Sequence, residues 1–272
     1  MARKLFCQIS PLTYALSVAK CRALRHLADL PLSRRFAAER PESLLPVVIY
    51  QHNSLIRRTL GNVDMALQEN KAVNLSLAAP RVDHILIRPG QIFSLWRLVG
   101  NPTARKGYRE GLTITLGGPA QGIGGGLCQL SNLINWMVLH SDLTILEHHH
   151  HDGVDLFPDF NRQIPFGTGT SILYNYLDYR FQNNTGNTYQ LLVRTSDTHL
   201  LGELRAEKSL PHKYHIRAEG EGFVREGEAV FRTGTVVRSC VDKATGRLLS
   251  SQVIKENHAR VLYDCANLTV ME

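Results

Sequence analysis

The stretch Gly122-Ile123-Gly124-Gly125-Gly126-Leu127-Cys128-Gln129-Leu130-Ser131-Asn132-Leu133-Ile134-Asn135-Trp136-Met137-Val138-Leu139-His140 decides how the rest of the chain is read. Its start continues a run from Gly117 that is too rich in glycine for any regular element. Its second half sets Leu130, Leu133, Ile134, Met137 and Val138 at helical spacing, which predicts a buried helix beginning at or beside Cys128. Three successive glycines carry a backbone-entropy cost, so Gly124, Gly125 and Gly126 imply a required geometry, close approach of N–H groups to a ligand being one.

Short strand patterns flank this unit on both sides. Upstream, Gly111 to Leu116 alternates as a strand. Ile85-Leu86-Ile87 ends at the turn Arg88-Pro89-Gly90, and Gln91 to Val99 reads as a further strand. Downstream, Leu143 to Leu146 leads into the run His148-His149-His150-His151. After Pro165 the spacing predicts strands over 171–181, 188–195, 199–206, 212–219, 229–241, 248–256 and 259–264. Residues 11–29 form a helical pattern with Leu12, Ala15, Leu16, Ala19, Ala23 and Leu27 on one side, and a second helix is predicted over 49–69. The fold class expected is α+β: a mostly antiparallel curled sheet, N-terminal helices, and one buried helix starting near the glycine-rich loop and Cys128. Residues 1–73 are expected to form a helical N-terminal region with a basic arm, 74–207 the core domain, and 208–272 C-terminal strands packed on that core.

Composition narrows the class. With 43% hydrophobic and 20% charged residues the 272-residue chain can bury a sizeable core, and no apolar run approaches the length of a spanning helix. The net charge is +7, and residues 1–40 alone carry +6 of it, so a basic arm is attached to a nearly neutral remainder. Without interleaved aromatic residues the arm does not point to nucleic acid. Residues 11–29 are expected to pack as a surface helix on the domain, peripheral membrane contact through residues 1–40 being the alternative. The start of the chain lacks a clean apolar export segment, so the expected location is cytoplasmic, or peripheral at the inner membrane face. The five cysteines, Cys7, Cys21, Cys128, Cys240 and Cys265, are widely spaced and predict neither a disulfide framework nor a zinc site, and no cofactor is implied.

The chemistry concentrates at Cys128. A helix start places a thiol at the positive end of the macrodipole, which is expected to lower its pKa and favour the nucleophilic thiolate. Free N–H groups of the loop around Gly124, Gly125, Gly126 and Gln129 would suit a developing oxyanion. If the strand from Leu143 continues, His149 and His151 share a face and are the candidate bases. A structural glycine turn beside a buried cysteine, with solvated histidines, is the competing reading.

Several segments resemble the VanW family. Gly124 through Leu133 closely resembles its signature of three glycines followed by a cysteine and a glutamine. Pro89-Gly90-Gln91-Ile92-Phe93-Ser94, Gly107-Tyr108 with Gly111, Leu143 through His151, and Leu177-Asp178-Tyr179-Arg180-Phe181-Gln182-Asn183 resemble further family motifs, in family order. Two positions depart from the pattern: His148 stands where the family has arginine, and Gly169 where it has aspartate, so an orienting group for the base would have to come from elsewhere, with Asp152 and Asp178 the candidates. The resemblance implies a link to glycopeptide resistance. It also implies, from larger members, cysteine-dependent L,D-transpeptidase-like chemistry on peptidoglycan or a cell-wall precursor peptide. The alternative is a non-catalytic accessory or binding protein of cell-wall metabolism.

Overall fold

A computed structural model describes residues 5–58, 64–115, 118–150, 153–159, 163–174, 177–266 and 268–271. Helix α1 (Pro11–Asp29) starts where its sequence says it should. The Ser10 hydroxyl accepts from the Thr13 N–H at 3.2 Å, the Thr13 hydroxyl accepts from the Ser10 N–H at 2.9 Å, and Pro11 occupies the first turn. The second helix predicted over 49–69 is replaced by strand β1 (Val47–Leu55) and, after Asp64, helix α2 (Met65–Val82). Val47-Val48-Ile49-Tyr50 is β-branched and aromatic, and that preference wins over the apolar spacing once β1 can pair with a neighbouring strand. The boundary expected between residues 73 and 74 falls inside α2.

Strands β2 (Ile85–Ile87) and β3 (Ile92–Ser94) follow. The expected strand over 91–99 is cut short because Ser94 caps a short helix, α3 (Leu95–Val99). Next come β4 (Glu110–Thr115), β5 (Gly118–Ile123), α4 (Cys128–Leu139), β6 (Thr144–Glu147), β7 (Val154–Asp155) and β8 (Arg180–Gln182). The chain continues with β9 (Tyr189–Thr195), β10 (His199–Ala206), β11 (His212–Glu226), β12 (Ala229–Asp242), β13 (Leu248–Val261) and β14 (Val270–Met271). Of the segment predicted as a strand over 171–181, only its end pairs regularly, in β8.

The architecture is α+β, and its pairing is mostly antiparallel, as expected. Among the described residues the strands form several sheets rather than one curled sheet: β1-β10-β9-β2, β14-β11-β12-β13-β7, β3-β8-β6 and the β4-β5 hairpin. Helix α4 lies across β1 and β10, and α2 covers β9 and β4. A single buried cluster joins Leu75, Ala78, Ala79 and Val82 of α2 to Leu130, Leu133, Ile134 and Met137 of α4. It continues through Leu191 and Val193 of β9, Leu200 and Leu204 of β10, and Phe93 and Phe181.

The C-terminal sheet meets this unit largely through polar contacts. Asp142, just past α4, accepts from His212 and from the Tyr214 hydroxyl, both at 2.6 Å. Arg238 donates to the carbonyls of Leu139 and Ser141 at 2.7 and 2.5 Å, which satisfies the end of α4, and its guanidinium lies over the Tyr214 ring.

Helix α1 docks in an unexpected sense. The row turned to the domain is Val18, Cys21, Arg22, Arg25 and Asp29, whereas the row Leu12, Ala15, Leu16, Ala19, Ala23 and Leu27 is exposed. The helix is packed on the surface of the domain, and its polar row makes the contact. The polar row is held instead because partners for its charges exist in the core.

Candidate active site around Cys128 and Glu147

The glycine run is explained first by packing. A Cβ on Gly125 would lie 2.2 Å from the Gly111 carbonyl oxygen, so β4 crosses the loop in direct backbone contact. Gly126 has φ +87°, in the left-handed region that side chains disfavour, and a Cβ there would meet the Lys71 stem at 2.3 Å. Asn74 on α2 fastens the same crossing, donating to the carbonyls of Gly125 and Arg109 and accepting from the Arg109 N–H.

The loop's donors are consumed internally. Gly124 donates to Arg109, Gly125 to Gly122, Gly126 to Leu112, Leu127 to Gly124, and Gln129 to Gly126. The expected oxyanion cradle of loop N–H groups is thus occupied by backbone carbonyls. The Gln129 side chain is structural as well: its amide donates to the Ser54 hydroxyl at 2.8 Å and the Leu55 carbonyl at 2.9 Å, tying α4 to β1.

Cys128 is the first residue of α4, as the sequence suggests, and it faces an extended strap, Thr168–Ile172. Alternate backbone groups of that strap point to opposite sides, as in any extended segment. The Thr170 N–H donates to Asn132 on α4 at 2.6 Å. The Ser171 N–H donates to the His149 carbonyl at 2.7 Å. The Ile172 N–H then turns back to the Cys128 sulfur, joining the N–H of Cys128 itself. Ser131 bonds to the Thr170 hydroxyl, and Asn135 donates to the Thr168 carbonyl at 2.9 Å. One helix face and the histidine segment therefore grip the same strap from its two edges.

The thiol does not behave as the helix start suggested. Burial pushes the Cys128 pKa up, and the N–H groups of Ile172 and Cys128 only partly offset this. Burial thus favours the protonated thiol, although the residue as a whole keeps some exposure.

His149 is oriented by Glu147, two residues earlier, with Nε2 3.0 Å from the carboxylate. When Nε2 donates to Glu147, Nδ1 carries the lone pair and is the basic nitrogen. His148 donates to the Gly169 carbonyl at 3.2 Å, and burial, with His150 beside it, draws its pKa down to about 4. It is neutral at physiological pH. His151 and Asp152 lie outside the described residues.

Asp178 does not reach His149. Its carboxylate accepts from the Ser94 hydroxyl, the N–H groups of Trp96 and Tyr179, and Arg180, while burial pushes its pKa up. Around it runs a buried charge network in which Arg180 grips Asp29 through two bonds of 2.6 and 2.8 Å. Arg25 grips Glu147 through two of 2.6 and 2.7 Å, and the Asp178 N–H also donates to Glu147. Burial works against the charged form of Glu147, yet the hydrogen bonds from Arg25, Asp178 and His149 leave its pKa below the ordinary carboxylate value.

Sequence reasoning passed over Glu147, Arg180, Asp29, Asn132 and Lys71. Glu147 and Arg180 stood in motif segments already quoted, so that signal was available. Lys71 had no local signal: it is buried, its pKa is drawn down to about 8 by burial with Arg58 and Arg57 nearby, and its stem fills the space beside Gly126. Next to the histidines a cleft of about 530 Å³ is bordered by Asn135, His148, His150, Thr168, Arg238 and Lys255. Among the described residues no group of three or more histidine, cysteine or carboxylate side chains is arranged to hold a metal ion.

The family profile described as VanW like protein matches residues 70–205, which span the loop, α4, the strap and the Glu147, Asp178 and Arg180 side of the charge network, but not Arg25 and Asp29. The chain belongs to the VanW-like family. It is 33% identical over 222 residues to the Vancomycin B-type resistance protein VanW of Enterococcus faecalis, an alignment covering 82% of this chain and 80% of that protein. It is also 30% identical over 118 residues to the uncharacterized protein YoaR of Bacillus subtilis, covering 42% of this chain and 36% of that one. No solved structure matches the chain. Each VanW-like motif now has a place. The glycine-cysteine signature makes the β4 crossing and the start of α4. The Glu147 segment and the Asp178–Arg180 segment meet in one buried network.

Proposed function

We propose that this VanW-like protein is a cysteine-dependent acyl transferase acting on the peptide of a cell-wall precursor. Its similarity to a protein named for vancomycin resistance supports the cell-wall setting. The reading is carried by one observation: neighbouring N–H groups of a single strap, Ile172 and Ser171, bond to the Cys128 sulfur and to the backbone carbonyl of His149, whose ring is held by Glu147. The carboxylate–imidazole pair supplies an oriented base of the kind a thiol nucleophile needs.

The steps balance as follows. Nδ1 of His149 takes the Cys128 proton, and the sulfur attacks a peptide carbonyl. The C–N bond breaks as the imidazolium returns its proton to the departing amine, leaving a thioester. A second amine, or water, attacks the thioester, its proton passes to the imidazole, and the thiol is regenerated. Because the thiol begins protonated, the base is indispensable, and substrate must bring it and the sulfur together across the strap's edge. The neighbouring cleft, lined by His148, His150, Arg238 and Lys255 but by neither Cys128 nor His149, suits a carboxylate in a part of the peptide remote from the reacting bond.

The test is intact-protein mass spectrometry after incubation with a synthetic cell-wall stem pentapeptide or tetrapeptide. The expected result is an acyl adduct at Cys128 in the parent, absent in Cys128→Ala and strongly slowed in His149→Ala. Neither adduct nor product with any stem peptide would overturn the reading.

The alternative, a non-catalytic accessory protein, is favoured by the glycine run. Packing against Gly111 and Lys71 accounts for Gly125 and Gly126 with no ligand at all. Retention of cellular function by Cys128→Ala would select it.

A further inference from the structure

The outward face of α1 is mostly apolar, interrupted by Lys20 and His26. Leu12 is 70% exposed, Leu16 53%, Leu24 56% and Leu27 61%, with Ala19 and Ala23 exposed between them. Leu5, Phe6 and Ile9 before the helix and Leu30 after it extend the same exposed apolar strip. Single exposed leucines need no explanation, but a contiguous strip of this length does. The helix cannot simply roll to bury it. Its other side is bolted down by the two-bond pairs Arg25–Glu147 and Asp29–Arg180, the second of them buried.

The charge around the strip has one sign. From Leu5 to Ala38 the only carboxylate is that of Asp29, and it is buried against Arg180. Lys20 on the outer face and Arg34 and Arg35 in the turn after the helix are all exposed. Lys20 has a four-carbon stem that lets its ammonium rise from an apolar surface to a polar layer. No helix among the described residues is long and apolar enough to cross a membrane, so the helix would lie in the plane of a bilayer surface. A second copy of this face would set Lys20, Arg34 and Arg35 against their own kind, which disfavours self-association through it.

We propose that α1 with its flanking turns is a peripheral membrane-docking face for anionic phospholipid, its leucines sunk into the interface and Lys20, Arg34 and Arg35 at the headgroups. Arg25 binds the carboxylate that orients His149, so a docked helix holds the Glu147–His149 pair at a fixed height above the lipid. The docking claim stands on the exposed strip and its charge, and it does not depend on acyl transfer.

The experiment is co-sedimentation of the full chain with vesicles of phosphatidylcholine, with and without about one-third phosphatidylglycerol. Three proteins are compared: the parent, Leu16→Glu/Leu27→Glu, and Lys20→Glu/Arg34→Glu/Arg35→Glu, all at solvent-facing positions, with melting temperatures checked. The parent is expected to bind the anionic vesicles, and binding should fall at least about ten-fold in each variant and weaken with added salt. Equal binding by the leucine variant, or no binding by the parent, overturns the proposal. A parent that is dimeric in solution, and made monomeric by the leucine changes, would assign the face to a protein partner instead. Unaltered sedimentation of a variant that has lost its melting transition is resolved by repeating the comparison with Leu16→Ser/Leu27→Ser.

Discussion

Helices α1 and α4 both carry a leucine-rich face at helical spacing, and the fold treats them in opposite ways. In α4, Leu130, Leu133, Ile134, Met137 and Val138 are buried against β1 and β10. In α1 the corresponding face is turned to solvent, and the one residue of that helix classed as buried is a carboxylate, Asp29. Each helix has done what its surroundings reward. The apolar face of α4 meets the apolar side chains of β9, β10 and α2. Around α1 the core offers Glu147 and Arg180, two charges that would be costly to bury alone. Spacing therefore identifies a face but not its direction, and a few buried ion pairs are enough to reverse it.

Breaking the bolt of α1 should be the most damaging change. Asp29→Ala leaves Arg180 buried with Asp178 as its main partner, and a loss of about 3–5 kcal/mol in urea unfolding is expected, with Asp178 holding it toward the lower end. A loss under about 1 kcal/mol would mean that the apolar row, not the charged one, secures the helix.

Leu133→Ala in α4 should cost about 3 kcal/mol as a cavity in the main core. The matched change Leu16→Ala in α1 should stay within about 0.5 kcal/mol. Equal costs in the two helices would erase the contrast between them.

Gly125→Ala drives a Cβ into the Gly111 backbone, and about 2–3 kcal/mol of destabilisation is expected from the forced separation of β4 and the loop. An unchanged melting temperature would show that the loop can part from β4 freely.

Acid should loosen the end of α4 and the histidine segment before it affects α1. His140 and His148 are each drawn down to about 4 by burial, so the unfolded chain takes up protons on them first. Their contribution is complete above the unfolded value near 6.5 and is lost as pH falls toward about 4, on the order of 1–2 kcal/mol for each ring. Urea midpoints of the parent and of His148→Gln between pH 7 and 4 measure it, and the variant should show the shallower fall. Parallel curves would remove His148 from the account.

At Cys128 the effect is smaller but its sign is informative. Alkylation of this thiol should have its midpoint above that of a free cysteine, near 8.5, because burial outweighs the helix end. A midpoint well below neutrality would show that the macrodipole and a nearby imidazolium prevail after all.

Much of this was legible in the residues. The start of α4 at Cys128, the bounds of α1, β10 from residue 199 to 206, and membership of the VanW-like family all follow from local pattern, because capping, periodicity and motif are properties of neighbours along the chain. Helix 49–69 was misread because β1 pairs with β10, which lies about 150 residues on, and no local window contains that partner. Glu147 and Arg180 stood in quoted motif segments and were passed over, but their pairing with Arg25 and Asp29, which come from the other end of the sequence, is visible in no local window.

What the sequence by itself determined is where α1 and α4 begin, which residues share their faces, and which cysteine opens the central one. What only the tertiary structure decided is which face of α1 turns inward, that the glycines meet β4 and Lys71, and that burial raises the Cys128 pKa. The physical reason is one: desolvation and close approach depend on atoms brought in from distant parts of the chain, and their energies exceed the local preferences that a sequence displays.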